Sequence, residues 1–218
     1  MKTLIPEKFD NGLAKLPTWF KQPLPEMDKV RSMKDMFRSS GLHTVCESAH
    51  CPNMGVCWGA GVATFMILGG TCTRACRFCA VPAGRPDVLD PHEPQQIAQT
   101  VQKLKLRYVV ITSVARDDLQ DEGASHFAGT IGAIRRLIPE VKIEVLIPDF
   151  SAKEESLKIL SDAAPEVISH NIETIRRLSK YIRPQALYDR SLLVLKRFKE
   201  LNPKTFVKSS FMVGLGES

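Results

Sequence analysis

The feature that most constrains the fold is a regular alternation of strand-like and helix-like segments from residue 63 onward. Between the strand-like runs, apolar residues recur at helical spacing, as Phe127, Ile131 and Ile134 do. Strands that alternate with helices form βα units, which build a parallel sheet through right-handed crossovers. We therefore predict an α/β fold. The predicted strands are Ala63–Leu68, Tyr108–Thr112, Val141–Ile147, Glu166–His170 and Thr205–Val213.

The length of the chain limits how far such a sheet can close. An eight-unit barrel usually needs about 250 residues, whereas this chain has 218. A partial, TIM-like (β/α)6 barrel fits better. The sequence ends at GLGES, just after the fifth predicted strand and where a helix is expected, so we predict truncation at that point. In such sheets the reactive groups lie on loops at the carboxyl ends of the strands.

The chain divides into two parts before and after residue 60. We assign residues 1–60 to an N-terminal extension and residues 61–218 to the partial barrel. Within the extension, Val30, Met33 and Phe37 lie at helical spacing and predict one amphipathic helix that ends at Gly41.

Composition excludes several classes of protein. The net charge of +6 is spread along the chain and not gathered into a basic tract, so we predict no nucleic-acid partner. No apolar run of about 18 residues suits a membrane-spanning helix. The first residues lack the apolar core of a signal peptide. We predict a cytoplasmic protein with no membrane partner.

All six cysteines fall between Cys46 and Cys79, which indicates metal binding or redox chemistry more than a disulfide framework. The second triplet, Cys72-x3-Cys76-x2-Cys79, lies on the loop after the first predicted strand. Three thiolates can hold three corners of a [4Fe–4S] cluster and leave one iron open. Tetrahedral zinc is an alternative, but it prefers a fourth protein ligand. A redox dithiol of Cys76 and Cys79 would leave Cys72 unexplained.

With Phe78 before the last cysteine, this motif resembles that of the radical S-adenosylmethionine (SAM) superfamily. The resemblance implies that the open iron chelates the amino and carboxylate groups of SAM. One electron from the cluster then cleaves a carbon–sulfur bond and produces a 5′-deoxyadenosyl radical. Cys72, Cys76 and Cys79 would be the catalytic cluster ligands, and Phe78 would lie at the cofactor site.

The first triplet, Cys46-x4-Cys51-x5-Cys57, suits a second cluster on an irregular loop. His43 and His50 lie nearby as further candidate ligands, although solvent-facing or hydrogen-bonded histidines are the simpler interpretation. The region from His43 to Val81 resembles the lipoyl synthase family, whose auxiliary cluster is held by this pattern. Further segments resemble that family: TSVARDDLQDEGASHFA (112–128), HNIET (170–174), YIRPQALY (181–188) and VKSSFMVGLGE (207–217).

The family resemblance implies a reaction and its partners. Lipoyl synthases insert sulfur at carbons 6 and 8 of an octanoyl group on a lipoyl carrier lysine, and their auxiliary [4Fe–4S] cluster is the sulfur donor. The implied substrates are the octanoylated E2 component of 2-oxoacid dehydrogenases and the H protein of glycine cleavage. An electron donor such as flavodoxin or ferredoxin and an iron–sulfur cluster donor are also implied.

The resemblance also implies cofactor-binding residues at the strand ends. Asn171 and Glu173 would contact SAM, although a helix N-cap is an alternative. Arg183 would pair with the SAM carboxylate, unless it is a surface arginine. Ser113 and Asp118 are candidates in a loop that is alternatively a solvated acidic segment.

Two other functions remain open at the level of sequence. One is a different radical SAM enzyme that inserts sulfur, and the other is a non-catalytic iron–sulfur carrier.

The lipoyl synthase family takes the fourth ligand of its auxiliary cluster from a C-terminal Arg-Ser-Ser-Tyr motif. That motif is absent from this sequence, in which Ser209 and Ser210 lie in VKSSFMV.

Overall fold

The computed structural model describes residues 27–39, 41–48, 51 and 53–217. Its centre is a sheet in which the strands follow one another in chain order. One short antiparallel strand at the edge precedes five parallel strands. The strands are β1 (His43–Thr44), β2 (Val62–Ile67), β3 (Tyr108–Ser113), β4 (Lys142–Leu146), β5 (Val167–Ser169) and β6 (Phe206–Lys208).

Helices connect each parallel strand to the next, as the βα pattern predicted. Three further helices precede β2, and two of them carry cysteines of the first triplet. The helices are α1 (Met27–Ser39), α2 (Val45–Ser48), α3 (Met54–Gly59), α4 (Glu93–Lys103), α5 (Ala124–Leu137), α6 (Glu154–Asp162), α7 (Arg176–Ile182) and α8 (Tyr188–Leu201), with a 3₁₀ turn at Phe150–Ala152 before α6.

The sheet is open, with β1 at one edge and β6 at the other in the part of the chain that the structure describes. The register aligns the carboxyl ends of β2 and β3, since Ile67 pairs with Ser113. Ser169 of β5 pairs with Leu146 and with Lys208. The prediction of an α/β partial barrel with five parallel strands is confirmed. The last predicted strand, Thr205–Val213, is longer than the observed β6, which ends at Lys208.

Alternation along the strands buries one face of the sheet against the helices. Val109 and Ile111 of β3 are fully buried, as are Ile143 and Val145 of β4. Helix α5 covers this face with its apolar residues, including the fully buried Phe127. Burial of such side chains is the main contribution to the stability of the fold.

The helix predicted from Val30, Met33 and Phe37 packs into the same hydrophobic core as the sheet. Phe37 is completely buried, and its ring centroid lies 5.4 Å from that of Trp58 and 5.4 Å from that of Phe65. These contacts join α1 to α3 and β2. Among the helices of the described ranges, none combines the length and apolarity needed to cross a bilayer.

Candidate functional site

The second cysteine triplet lies on the loop that leaves the carboxyl end of β2. The chain turns sharply there, since Leu68 and Gly69 have φ of 71° and 93°. The backbone N–H of Leu68 donates to Glu93 Oε2 at 2.9 Å, which fixes the start of the loop to α4. Further along the loop, Cys72 forms an isolated parallel bridge with Ala83, outside the strands of the sheet.

The three thiols of this loop are free and lie close enough to influence one another. Burial raises the pKa of Cys76, and the neighbouring Cys72 and Cys79 raise it further, against the opposing charges of Arg183 and Arg74. Cys79 is exposed and Cys72 is half-buried. A metal that binds here must displace the thiol protons, as iron does when it forms thiolate bonds.

The first triplet gathers in the same way beside β2. Cys46 is buried in α2, whereas Cys51 and Cys57 are half-buried. Burial raises the pKa of Cys57, and Cys46 and Cys51 raise it further. Of the two candidate histidines, His43 opens β1, and His50 lies outside the described residues.

The donor chemistry of both triplets suits iron–sulfur clusters more than single metal ions. Within the described ranges, no three His, Cys, Asp or Glu side chains are arranged to hold one ion. A [4Fe–4S] cluster binds each cysteine through a different iron, so its thiolates stand farther apart than the ligands of one ion. Two groups of three soft thiol donors therefore fit two clusters.

Two predicted cofactor residues, Ser113 and Asp118, lie at and after the carboxyl end of β3. Ser113 ends the strand, and its buried hydroxyl has no hydrogen-bond partner among the described residues. A buried unpaired hydroxyl is costly, so it is available to a bound polar group. Asp118 is different, because both of its oxygens accept hydrogen bonds of 2.9 Å from Arg116. This pairing lowers the pKa of Asp118.

Asn171 and Glu173 follow the carboxyl end of β5. The helix N-cap interpretation is wrong for this pair, because α7 begins at Arg176 and Ile175 occupies the N-cap position. Glu173 has a φ of 61° and bridges to Phe211 beyond β6. Burial raises the pKa of Glu173, although the Asn171 side chain and Arg183 act in the opposite direction. A half-buried carboxyl with an elevated pKa is typical of a functional site.

Arg183 is not a surface residue, because only 3% of it is exposed. Its Nη1 donates to the Asn171 carbonyl at 2.5 Å, its Nε donates to the Ala186 carbonyl at 3.1 Å, and its Nη2 donates to Ser191 Oγ. A guanidinium has five N–H donors, so two of them make no hydrogen bond within the residues that the structure describes. Burial lowers the pKa of Arg183, although the nearby Glu173 counteracts the effect.

Phe78 precedes Cys79 on the exposed side of the loop and has 41% of its surface accessible. The cysteine loop contacts the end of α7, since the N–H of Arg77 donates to the Ile182 carbonyl at 2.8 Å. The N–H of Ala75 also donates to Gln185 Oε1 at 3.2 Å. The cysteine loop and the segment that carries Arg183 therefore meet.

Sequence reasoning missed a buried ion-pair network beneath the cysteine loop. Arg74 lies between two cysteines, is 6% exposed, and forms ion pairs of 2.5 Å with Asp117 and 2.7 Å with Asp149. Asp149 is fully buried after β4. Its buried carboxylate keeps a lowered pKa because Arg74 outweighs the effect of burial. An acidic residue just after a predicted strand was the available signal.

Comparisons with known proteins identify the family. Residues 66–218 match the family model described as "Radical SAM superfamily". The chain is 52% identical over 213 residues to a curated lipoyl synthase of Rubrobacter xylanophilus. The aligned region covers 98% of this chain and 66% of that protein. The chain thus spans slightly less than two thirds of that relative's length.

Solved structures share the fold at low identity. Methylornithine synthase superposes with a TM-score of 0.56 at 14% identity, covering 88% of this chain and 60% of that one. HydG, a maturase of the [FeFe]-hydrogenase, gives 0.57 at 15% identity, covering 88% and 47%. From its family match, its cysteine loop and its sheet, the chain belongs to the radical SAM superfamily and is a homologue of lipoyl synthase.

Proposed function

We propose that this chain is a lipoyl synthase, which inserts two sulfur atoms at carbons 6 and 8 of an octanoyl group carried on a protein lysine. The observation that carries the proposal is the gathering of six free thiols into two separate groups of three. One group occupies the position expected for the radical-forming cluster of the superfamily, and the other has the spacing expected for the auxiliary cluster. The 52% identity to a curated lipoyl synthase supports the same reaction.

Cys72, Cys76 and Cys79 would hold the first [4Fe–4S] cluster, and Cys46, Cys51 and Cys57 the second. When bound, the first cluster and SAM would supply a 5′-deoxyadenosyl radical, and the second cluster would supply sulfur. The protein's contribution is to hold three thiolates at each site. The fourth ligand of the auxiliary cluster is not assigned.

The strand ends would bind SAM. Ser113 offers a buried hydroxyl that lacks a partner in the described part of the chain, and Glu173 offers a half-buried carboxyl hydrogen-bonded to Asn171. Arg183 has two N–H donors that bond to no described residue. Phe78 would provide an apolar surface at the rim. Asp118 would act on SAM only indirectly, since both of its carboxylate oxygens accept hydrogen bonds from Arg116.

The partners follow from the proposed reaction. The substrates would be octanoylated lipoyl carrier domains, in the E2 component of 2-oxoacid dehydrogenases and in the H protein. A low-potential one-electron donor such as flavodoxin or ferredoxin would reduce the first cluster. Because the second cluster is consumed as a sulfur source, an iron–sulfur donor would have to rebuild it.

Anaerobic reconstitution followed by two assays tests the proposal. We expect about eight irons per chain, release of 5′-deoxyadenosine from SAM, and conversion of an octanoylated carrier peptide to its lipoylated form. The peptide product is measured by mass spectrometry. The two cysteine groups provide matched variants of equal size.

Replacing Cys46, Cys51 and Cys57 with serine should leave about four irons and 5′-deoxyadenosine release, but abolish sulfur insertion. Replacing Cys72, Cys76 and Cys79 with serine should also leave about four irons and abolish both reactions. The decisive comparison uses the chain extended by the family's C-terminal Arg-Ser-Ser-Tyr segment, because its serine is the expected fourth ligand of the auxiliary cluster. Release of 5′-deoxyadenosine without any sulfur transfer by that extended protein would overturn the lipoyl synthase assignment. The superfamily assignment would stand in that case.

A further inference from the structure

The sulfur of Cys72 accepts two backbone hydrogen bonds. The N–H of Arg74 lies 3.4 Å from Cys72 Sγ, and the N–H of Ala115 lies 3.2 Å from it. The Arg74 donor belongs to the same loop as Cys72. The Ala115 donor comes from the loop after β3, so it reaches the sulfur only if the two loops keep their relative position.

Thr73 joins the two loops directly. Its N–H donates to the Ala115 carbonyl at 3.1 Å, and its Oγ1 lies 3.0 Å from the same carbonyl oxygen and 2.6 Å from Asp117 Oδ2. The N–H of Asp117 donates back to Thr73 Oγ1 at 3.1 Å. Ala115 is thereby bound to the cysteine loop through both its N–H, which donates to Cys72 Sγ, and its carbonyl, which accepts from Thr73.

Arg74 extends the connection to a third strand end. Its Nε lies 2.9 Å from Asp117 Oδ2, and its Nη2 lies 2.7 Å from Asp149 Oδ1. Asp149 is fully buried after β4 and also accepts the N–H of Ser151 at 3.2 Å. Four residues therefore connect the cysteine loop to the ends of β3 and β4. We call Thr73, Arg74, Asp117 and Asp149 the strand-end anchor.

Hydrogen bonds to cluster sulfurs are one of the main determinants of reduction potential. In the 2+/1+ couple the cluster gains one electron and no bond forms or breaks, so the added negative charge spreads over the sulfurs. An N–H dipole that points at a sulfur stabilises the reduced state more than the oxidised state. The geometry therefore raises the potential of a cluster on Cys72.

We propose that the strand-end anchor holds the N–H of Ala115 on the Cys72 sulfur and so raises the reduction potential of the cluster at this loop. Thr73, Arg74, Asp117 and Asp149 act as positioning residues, because their side chains bond to one another and to the Ala115 carbonyl. The inference rests on the proposed placement of a cluster on Cys72, Cys76 and Cys79.

A potentiometric titration of a single-cluster protein tests the proposal. The parent is the full chain with Cys46, Cys51 and Cys57 replaced by serine, reduced stepwise by dithionite and followed by electron paramagnetic resonance. Thr73→Val removes the hydroxyl at nearly constant volume, Asp117→Asn weakens the pair with Arg74, and Thr73→Ser is the matched control that keeps the hydroxyl. Iron content is measured for each protein.

We expect Thr73→Val and Asp117→Asn to keep about four irons. At a fixed poise near the parent's midpoint, the ratio of reduced to oxidised cluster in Thr73→Val should fall roughly threefold to tenfold, the worth of one net hydrogen bond. In Asp117→Asn the fall should be smaller, because the loss of a negative charge near the loop raises the reduction potential. Thr73→Ser should titrate like the parent.

Parent-like potentials in both Thr73→Val and Asp117→Asn would overturn the proposal. Loss of the cluster from both would also overturn it, because the anchor would then retain the cluster without setting its potential. A parent that binds no iron would instead contradict the proposed cluster placement, so the two failures are distinguishable.

Discussion

The hydroxyl oxygen of Ser191 lies 2.9 Å from Nε2 of the buried His170. The other ring nitrogen, Nδ1, lies 2.9 Å from the Ile147 carbonyl oxygen, which can only accept, so Nδ1 carries the proton. Nε2 is then the acceptor of the Ser191 hydroxyl, which in turn accepts from Arg183 Nη2. This chain of hydrogen bonds ties α8 and the segment after α7 to the carboxyl end of β5 with a neutral imidazole at its centre.

The first prediction concerns the pH dependence of stability. Burial lowers the pKa of His170 to about 4, from an ordinary value of 6.5. Above pH 6.5 both the folded and the unfolded states hold a neutral ring. Between pH 6.5 and about pH 4, the imidazole is protonated in the unfolded state but neutral in the folded state. The free energy of unfolding therefore decreases as the pH falls through this range.

We expect the free energy of unfolding to fall by about 2 kcal/mol more between pH 7 and pH 5 in the unaltered chain than in His170→Gln. Urea unfolding of both proteins at the two pH values, with identical cluster content, measures the difference. Equal losses in the two proteins would show that His170 is not held neutral by burial.

The second prediction concerns Gly123, which precedes α5 with a φ of 94°. A Cβ at this position would lie 2.4 Å from Leu68 Cδ1, at the start of the cysteine loop. Gly123→Ala therefore combines a left-handed backbone with a collision in the core, and we expect it to destabilise the fold by about 1–3 kcal/mol. Denaturant midpoints measure the effect.

The matched control is Gly129→Ala inside α5, where a Cβ meets nothing within 4 Å. Alanine is favoured over glycine in a helix interior, so this variant should be more stable by about 0.5–1 kcal/mol. The same substitution is thus expected to have opposite signs at the two positions. A neutral Gly123→Ala would mean that Leu68 moves aside without cost.

Local periodicity explains why the strands and helices were predictable from the sequence. The predicted strand Tyr108–Thr112 differs from β3 by one residue, and the predicted strand Ala63–Leu68 differs from β2 by one residue at each end. The two residues of β1 escaped prediction because an edge pairing of two residues leaves no periodic signal. The prediction for β6 ran five residues too far, because the apolar residues Phe211 and Val213 lie on an exposed segment.

The candidate site was only partly predictable, for a different reason. Cysteine spacing reports the donors of one loop, and it identified both triplets. Arg183 binds Asn171 beyond β5. Arg74 binds Asp117 beyond β3 and Asp149 beyond β4, and no local pattern reports such distant pairings. Arg183 was therefore interpreted through a resemblance, and Arg74 was missed. Burial of a charged residue among distant acceptors is information that only the tertiary structure holds.

The third prediction separates two residues expected to bind SAM. Ser113→Ala removes a hydroxyl that has no partner among the described residues, so the free energy of unfolding should not fall. If the hydroxyl pairs with SAM, the dissociation constant of SAM should rise about tenfold. Equilibrium dialysis with the reconstituted protein measures the constant.

Asp118→Asn is the comparison for Ser113→Ala. Arg116 binds both oxygens of Asp118, whose side chain is 40% exposed. We expect this variant to change SAM affinity less than Ser113→Ala does. A larger effect at Asp118 than at Ser113 would reverse the roles proposed for the two residues.

The last prediction concerns Glu144, a buried carboxylate of β4. Its side chain lies on the face of the sheet opposite to that of Ile143 and Val145. It accepts hydrogen bonds from Lys208 Nζ at 2.7 Å, from Tyr108 Oη at 2.6 Å and from Ser169 Oγ at 2.8 Å. Burial alone would raise the pKa of Glu144, but these donors hold it below its ordinary value of 4.5. The stability that Glu144 contributes is therefore present above pH 4.5 and lost as the pH falls through its folded pKa.

Lys208→Met should destabilise the fold by about 1 kcal/mol at pH 7, a modest value because the lysine side chain is 56% exposed. The difference from the unaltered chain should shrink as the pH falls below 4.5 and through the lowered folded pKa of Glu144, because below that pKa the carboxyl is neutral in both states. Lys204→Met, at an exposed lysine in the turn before β6, controls for the loss of one positive charge and should show neither effect. A destabilisation by Lys208→Met that is independent of pH would mean that the lysine acts through its aliphatic stem and not through Glu144.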